Sequence, residues 1–258
     1  MTVTIKFSDN TQHKYNNFED ILNIYNYNDI IYMNCNGNSL TSLPKLPNIL
    51  KRLNCSNNNL SSLPELPNSL RKLWCSNNKI SSLPELPNSL KKLICGCNNL
   101  YCLPELPNSL IELYCDGNSL SSLPELPNSL TKLICGCNNL YCLPELPNSL
   151  IELHCDGNSL SSLPELPNSL ECLDCEYNYI ASLPEIPNSL IFLYNNNPIH
   201  SHIHQIFDGK IKNYLEHQNN IIKKFVNKIE NWFLDCKYNP KYLYCRQRLM
   251  KEYNELYN

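Results

Sequence analysis

The sequence predicts a solenoid, in which short coils stack on one another and each adds one strand to a parallel β-sheet. The first observation is a twenty-residue period from Ile30 to Leu190, with an apolar residue at the first and fourth positions of each unit. The second is a cysteine at the sixth position and an asparagine at the ninth. The third is a closing segment of the type L-P-E-L-P. A period held through eight full units and a truncated ninth is typical of a repeat architecture.

Each unit is expected to form one short strand and an extended return. The leucine at the fourth position points inward, and its two neighbours face the concave surface, because side chains alternate along a strand. Twenty residues are too few for a strand, two turns and a return helix, and proline favours a polyproline-like path. The unit L-x-x-L-x-C-x-x-N-x-L-x-x-L-P-E-L-P-N-S is the leucine-rich-repeat pattern with cysteine in the third aliphatic position. The predicted fold is a leucine-rich-repeat solenoid, or horseshoe, with a parallel β-sheet on the concave face and an extended polyproline-like convex side.

Two columns of side chains are expected to run through the interior. A buried asparagine can bond backbone groups of its own coil and of the adjacent coil, which would otherwise be left unpaired at about 1–3 kcal/mol each. The cysteine is small and weakly polar, so we interpret it as filler of a narrow slot rather than as a redox or metal group. The predicted structural asparagines are Asn38, Asn58, Asn78, Asn98, Asn118, Asn138, Asn158 and Asn178.

These motifs resemble the short, twenty-residue class of leucine-rich repeat, whose best-known members are secreted effectors of Yersinia and Shigella with an L-P-x-L-P return. The resemblance covers residues 30–198. Some of those effectors append a large helical ubiquitin-ligase domain with a catalytic cysteine, which residues 199–258 are too few to form. The whole chain also resembles leucine-rich-repeat proteins of giant amoeba viruses such as mimivirus, through its Asn-, Ile-, Lys- and Tyr-rich composition and its tail NPKYLYCRQRLMKEYNELYN.

Three parts follow from the limits of the repeat. Residues 1–29 are predicted to cap the first coil with a hairpin and a short helix, which begins after Asn16 or Asn17. Residues 30–198 form the solenoid. Residues 199–258 are amphipathic and are expected to form a C-terminal α-helical hairpin that caps the last coil. The alternative is that this hairpin is a separate helix pair that binds a partner.

Composition and charge exclude several classes of function. The net charge is −3 and charged residues make up 17% of the chain, so no basic field indicates a nucleic-acid partner. No apolar run approaches the length of about 20 residues that crosses a bilayer, so no membrane partner is expected. The first ten residues lack the basic and apolar regions of a signal peptide. We therefore expect a cytoplasmic protein, in the host cytoplasm if the chain is viral.

The fifth position of each unit supplies the predicted binding site. Large apolar, aromatic or imidazole side chains follow one another there, and an exposed row of this composition is typical of a protein-binding surface. The predicted partner-binding row of the concave face is Trp74, Ile94, Tyr114, Ile134, His154, Asp174 and Tyr194.

Charge next to this row is predicted to change sign along the solenoid. Basic residues dominate the second to fourth coils and acidic residues dominate the later ones, so a partner of opposite polarity would be steered and oriented. The flanking charges are Lys51, Arg52, Arg71, Lys72, Lys91 and Lys92 at one end, and Glu112, Glu152 and Glu171 at the other. The alternative is drift in a duplicated array, because residues 93–130 and 133–170 are identical except for Tyr114 in the first copy and His154 in the second.

The sequence contains no pattern that predicts catalysis, a cofactor or a metal site. Cys95, Cys97 and Cys102 are close in sequence, but Cys95 is expected to point inward, Cys97 towards the concave rim and Cys102 to lie on the return segment, so they do not converge on one ion. The run from His200 to His204 has alternate histidines without nearby carboxylate support. The predicted function is a non-enzymatic, monomeric protein-interaction module with a protein partner. The alternatives are an adaptor, whose C-terminal helices recruit a second partner, and a freely evolving array without a strong partner.

Overall fold

One β-sheet runs the length of the chain that the structure describes. The structure is a computed structural model, and it describes residues 2–182, 184, 187, 190–193 and 196–198. Among the described residues this sheet has eleven strands, and from the third strand onward each lies next to its successor in the chain, while the first strand lies between the third and the second. The predicted C-terminal helical hairpin, Tyr194 and Asn195 all lie outside the described residues.

The N-terminal residues extend the sheet with antiparallel strands. Strand β1 (Val3–Phe7) pairs with both β2 (Gln12–Tyr15) and β3 (Ile30–Asn34), antiparallel in each case. Helix α1 (Phe18–Leu22) begins after Asn17, whose Oδ1 accepts a hydrogen bond from the Asp20 amide at 2.8 Å. Such a bond pairs one of the free amides at a helix start. A short 3₁₀ turn (Tyr27–Asp29) leads into the first coil.

The remaining strands are parallel, short and in register. They are β4 (Arg52–Asn54), β5 (Lys72–Trp74), β6 (Lys92–Ile94), β7 (Glu112–Tyr114), β8 (Lys132–Ile134), β9 (Glu152–His154), β10 (Cys172–Asp174) and β11 (Ile191–Leu193). From β3 to β10 each residue pairs with the residue twenty positions later, as Leu53 does with Leu73. The described return segments contain no helix. The predicted parallel-sheet solenoid is therefore confirmed.

The last coil departs from the predicted period. Leu173 pairs with Phe192, nineteen positions later, and not with Leu193 as the leucine pattern predicts. The structural asparagine that stands at the ninth position of the full units is replaced in this coil by Asn197. Its side chain is buried and accepts a hydrogen bond from the Ile180 amide at 3.0 Å. The truncated ninth unit is thus one residue shorter than the others up to this asparagine.

The core is a column of leucines with a column of cysteines beside it. The leucines at the first and fourth positions and the cysteines at the sixth are fully buried through most of the array, as Leu93 and Cys95 illustrate. The Sγ atom of Cys95 donates to the carbonyl of Tyr114 in the next strand, at 3.4 Å. The same contact recurs at Cys35 and Cys55, so the thiol packs in the core and also bonds to the neighbouring coil.

Asparagine amides connect each coil to the one before it. The Oδ1 atom of Asn98 accepts from the Ile80 amide at 3.0 Å, and its Nδ2 donates to the carbonyls of Cys75 and Cys95 at 3.0 and 3.1 Å. The pattern repeats at Asn58, Asn78, Asn118, Asn138, Asn158 and Asn178. Asn38, the first of the series, instead bonds the backbone amide and carbonyl of Thr2 and thereby holds the N-terminal strand.

The eighth position of each of the eight full coils has a left-handed backbone. The φ angles there lie between 52° and 68°, a region that glycine enters freely and other residues enter at a cost of about 1–2 kcal/mol. Only some coils have glycine at this position. The residues are Gly37, Asn57, Asn77, Cys97, Gly117, Cys137, Gly157 and Tyr177. The turn geometry is therefore imposed by the stacking of coils, because it is the same whichever residue is present.

Within the described residues, no helix has the length and apolar character needed to cross a membrane.

Replacing Asn98 by alanine is expected to lower the free energy of unfolding by about 1–3 kcal/mol, because the buried Ile80 amide loses its acceptor. The matched control is Asn99→Ala, since the Asn99 side chain is exposed and only its backbone bonds to Ile80. Urea unfolding of the full chain measures both. Equal unfolding midpoints for the two variants would contradict a stabilising role of the asparagine column.

Candidate interaction surface and its acidic end

The structure brings the predicted binding residues into one line across the sheet. Trp74, Ile94, Tyr114, Ile134, His154 and Asp174 occupy the last position of successive strands, and each is the register partner of the next. We call these six residues the strand-face row. The leucine before each of them is fully buried, so alternation turns the row away from the core. Tyr194, the predicted seventh member, lies outside the described residues.

The strand-face row is less exposed than the sequence suggests. Each of its side chains is half-buried, because neighbouring strands lie about 4.8 Å apart and large side chains cover one another. Tyr25, which precedes the array, is fully exposed, and within the described part of the repeat array the most exposed aromatic groups lie on the turns and return segments. They are Tyr101, Tyr141, Tyr177 and Tyr179, with 52% to 66% of their surface exposed. Exposed aromatic area is therefore not confined to the predicted row.

Ion pairs neutralise the middle of the predicted charge gradient. The third position of each coil shares the side of the strand-face row, and there Lys132 pairs with Glu152 of the next strand at 2.6 Å. Lys92 pairs with Glu112 in the same way. The ammonium groups of Lys92 and Lys132 also lie 5.0 and 5.5 Å from the centre of the Tyr114 ring, a geometry that favours cation–π attraction.

The charges that remain outside these pairs lie towards the two ends. Within the described residues, Arg52 and Lys72 have no carboxylate within ion-pair distance, and they lie beside Trp74 at the start of the row. The flanking residues Lys51, Arg71, Lys91 and Glu171 are exposed. Acidic residues of the row side gather at the other end, around His154.

A histidine and two aspartates from two coils meet at this acidic end. We call His154, Asp156 and Asp174 the His154 cluster, since their ligand-capable atoms all lie within 4.8 Å of one another. His154 Nδ1 is 3.9 Å from Asp174 Oδ2, and His154 Nε2 is 2.8 Å from Oε1 of Glu152. These contacts were not predicted. Reading the sequence across the coils, at intervals of two and twenty residues, would have revealed them.

The pKa values of the two carboxyls that contact His154 are shifted in opposite directions. Burial, strengthened by Asp156, raises the pKa of Asp174, although the Glu176 amide and His154 favour its charged form. Burial alone would also raise the pKa of Glu152, but its hydrogen bonds with Lys132 and His154 hold that pKa below its ordinary value. Glu152 is therefore the stably charged partner of the imidazole.

Glycine in the preceding coil makes room for Asp156. A methyl group at Gly136 would lie 2.5 Å from Asp156 Oδ1, which is closer than any real contact of this kind. The equivalent pair in the first copy is Gly96 and Asp116, with a corresponding distance of 2.7 Å. The absence of a side chain at position 136 thus leaves room for the Asp156 carboxylate.

The cysteines considered as metal ligands are placed on different sides of the coil. Cys95 is buried, whereas Cys97 and Cys102 are exposed, and the same holds for Cys135, Cys137 and Cys142 in the second copy. Among the described residues, the group of potential ligands that converges is the His154 cluster. The histidines from His200 to His204 lie outside the described residues.

Solved structures similar to this chain include those of bacterial effectors. YopM from Yersinia enterocolitica WA-314 is 42% identical with a TM-score of 0.65, over 66% of this chain and 38% of that protein. YopM of Yersinia pestis, a leucine-rich effector protein, is 42% identical with a TM-score of 0.62, over 65% of this chain and 49% of that one. A Shigella effector leucine-rich-repeat domain is 29% identical with a TM-score of 0.51, over 69% of this chain and 76% of that domain. No protein-family model and no curated protein matches the sequence.

These likenesses and the stacked strands define the class of the repeat array. It is a parallel-sheet solenoid that matches leucine-rich-repeat folds, and its neighbours support a bacterial-effector-like class of such repeats. The chain spans less than half the length of the two Yersinia proteins. The neighbours also support a protein-interaction repeat module, in agreement with the predicted kind of function.

Native-state alkylation is expected to separate the two kinds of cysteine. Iodoacetamide at pH 8 should modify the exposed Cys97, Cys102, Cys137 and Cys142, because only a thiolate reacts and the reagent must reach it. The interior column should react only after denaturation, since burial raises the pKa of its thiols, that of Cys35 to about 12. Trypsin digestion after alkylation cleaves after Lys92 and Lys132, so residues 93–130 and 133–170 fall in different peptides for mass spectrometry. Equal rates at Cys115 and Cys142 in the native chain would contradict the burial of the column.

Proposed function

We propose that the repeat array is a non-enzymatic interaction module and that its protein partner binds along the strand-face row. The observation that carries this proposal is the unbroken register from Trp74 to Ile134, which holds four large side chains side by side. Such a surface is fixed before binding, so little conformational entropy is lost when a partner binds. Aromatic groups that are already half-buried lose their remaining water on contact, which is typical of binding hot spots.

The charges next to the row support a partner with an acidic region. Arg52 and Lys72 lie beside Trp74 without an ion-pair partner among the described residues, and the exposed Lys51, Arg71 and Lys91 lie on the same coils. Basic groups at a rim accelerate association with an acidic surface and fix its orientation. The neutralised pairs farther along the row leave its centre suited to apolar contact.

The similar bacterial effectors support an interaction module, but none of them identifies the partner of this chain. The adaptor alternative depends on the C-terminal residues 199–258, which lie outside the described part of the chain. The cytoplasmic location, the monomeric state and the likeness to viral proteins stay predictions.

Two matched double variants test the proposal. Trp74→Asp with Tyr114→Asp alters the strand-face row, and Tyr101→Asp with Tyr141→Asp alters two exposed tyrosines away from it. Partners are captured from eukaryotic cell extract on the native chain, identified by mass spectrometry and then titrated in purified form. The row variant should bind at least about tenfold more weakly, while the tyrosine control binds like the native chain.

Circular dichroism and thermal unfolding establish that each variant is folded. Lys72→Glu supplies a milder change, which is expected to slow association and to weaken its dependence on salt. Loss of binding in the Tyr101 and Tyr141 control, with binding retained in the row variant, would move the site to the return side and refute the proposal.

A further inference from the structure

The duplicated block contains one difference, and that difference lies beside an acidic group of the next coil. Residues 93–130 and 133–170 differ only at Tyr114 and His154. In the first copy the Tyr114 hydroxyl donates to Glu112 at 3.3 Å, and its register partner in the next strand is Ile134. In the second copy the register partner of His154 is Asp174. Only the second copy therefore combines an imidazole with carboxylates from two coils.

We propose that His154, Asp156 and Asp174 bind a divalent first-row transition-metal ion, such as Zn²⁺, and that this ion links two successive coils. The inference goes beyond the proposed function and does not depend on it. The ligands are one imidazole nitrogen and two carboxylate oxygens, a donor set that suits Zn²⁺ and related ions. Water would complete the coordination, as it does where three protein side chains hold zinc.

Glu152 prepares the imidazole for this role. Its Oε1 lies 2.8 Å from His154 Nε2, and its Oε2 is held by Lys132 at 2.6 Å. When the Glu152 carboxylate accepts a hydrogen bond from the N–H group at Nε2, the lone pair of the neutral imidazole lies on Nδ1. Nδ1 is the nitrogen that faces Asp174. A carboxylate bound to the outer nitrogen of a metal-binding histidine is the usual arrangement, because it orients the ring and raises its basicity.

The distances leave room for an ion between the ligand atoms, which all lie within 4.8 Å of one another. His154 Nδ1 and Asp174 Oδ2 are 3.9 Å apart, which is too long for a hydrogen bond. Zinc bonds of about 2.0–2.2 Å hold the ligand atoms of a tetrahedron roughly 3.3–3.6 Å apart. The 3.9 Å separation closes to this range by a small side-chain rotation. The side chains of His154 and Asp174 are 29% and 20% exposed, so an ion reaches them from solvent.

Two further observations support a cation at this place. The Asp156 and Asp174 carboxylates lie close together, and a divalent cation between them offsets the repulsion of two like charges. Gly136 leaves free the space that the Asp156 carboxylate occupies.

The chain supplies its own control substitutions. His154→Tyr and Asp174→Ile each introduce the residue that the first copy has at the equivalent place, Tyr114 and Ile134, so both are compatible with the coil. The reverse change, Tyr114→His with Ile134→Asp, gives the first copy the same ligands, because Glu112, Asp116 and Gly96 already match.

The test is calorimetric titration of the full chain, without a polyhistidine tag and with its exposed thiols alkylated, using Zn²⁺ alone. The native chain should bind one equivalent more than His154→Tyr or Asp174→Ile, and the reverse double variant should bind one equivalent more than the native chain. Glu152→Gln should weaken binding about 10- to 100-fold, as loss of an outer carboxylate does. Co²⁺ at the site should show visible absorption without a thiolate charge-transfer band.

Equal Zn²⁺ stoichiometry and affinity in the native chain and in His154→Tyr would overturn the proposal. A folded reverse double variant without the extra equivalent would also overturn it, because every group that the site needs is then present. A Co²⁺ spectrum made up only of thiolate bands would assign the bound ion to cysteine instead. Loss of protein-partner binding in the strand-face row variants leaves each of these outcomes unchanged, so the two proposals fail separately.

Discussion

The fold depends on the asparagine amide that reaches from each coil into the one before it. Asn98 bonds the Ile80 amide and the Cys75 carbonyl of the preceding coil as well as its own Cys95 carbonyl, and this reach fixes how far one coil advances over the next. The last coil shows whether the asparagine hydrogen bonds or the twenty-residue spacing of the leucines is kept when the two disagree. There the strand register changes to nineteen residues, yet Asn197 still bonds Ile180 and Cys175. The amide position is kept where the leucine spacing is not.

The sequence was sufficient for most of the architecture because the array is periodic in one dimension. A period of twenty residues predicts the parallel register, the inward leucine of each strand and the buried cysteine beside it. It failed at the last coil, because leucine spacing and asparagine spacing disagree there and the sequence does not say which is stronger. Glycine or asparagine at the eighth position of five coils is typical of a left-handed backbone, but nothing in the residue types of Cys137 and Tyr177 indicates that they adopt the same backbone as Gly157.

The sequence predicted which residues form the candidate site, but not how far they are buried or which of their charges are paired. The sequence identifies which side chains share a row, whereas their half-burial follows from the packing of large groups on adjacent strands. The predicted charge gradient counted Lys92 and Glu112 as independent charges, but a twenty-residue separation makes them direct neighbours that neutralise each other. The contact of His154 with Asp174 has the same origin. In a stacked array, contacts between side chains are predicted by comparing residues one coil apart rather than residues that are close in sequence.

The hairpin at the N-terminus has a consequence for assembly. Head-to-tail contacts between identical surfaces generate open filaments, and a stack of nearly equal coils is prone to them because one copy's last coil resembles the next copy's first. Here the outermost strand at that end is β2, which runs antiparallel to its neighbour, has four residues and is largely exposed and polar. Short, charged edge strands resist pairing with other chains. The hairpin therefore disfavours continuation of the sheet into a second molecule at this end.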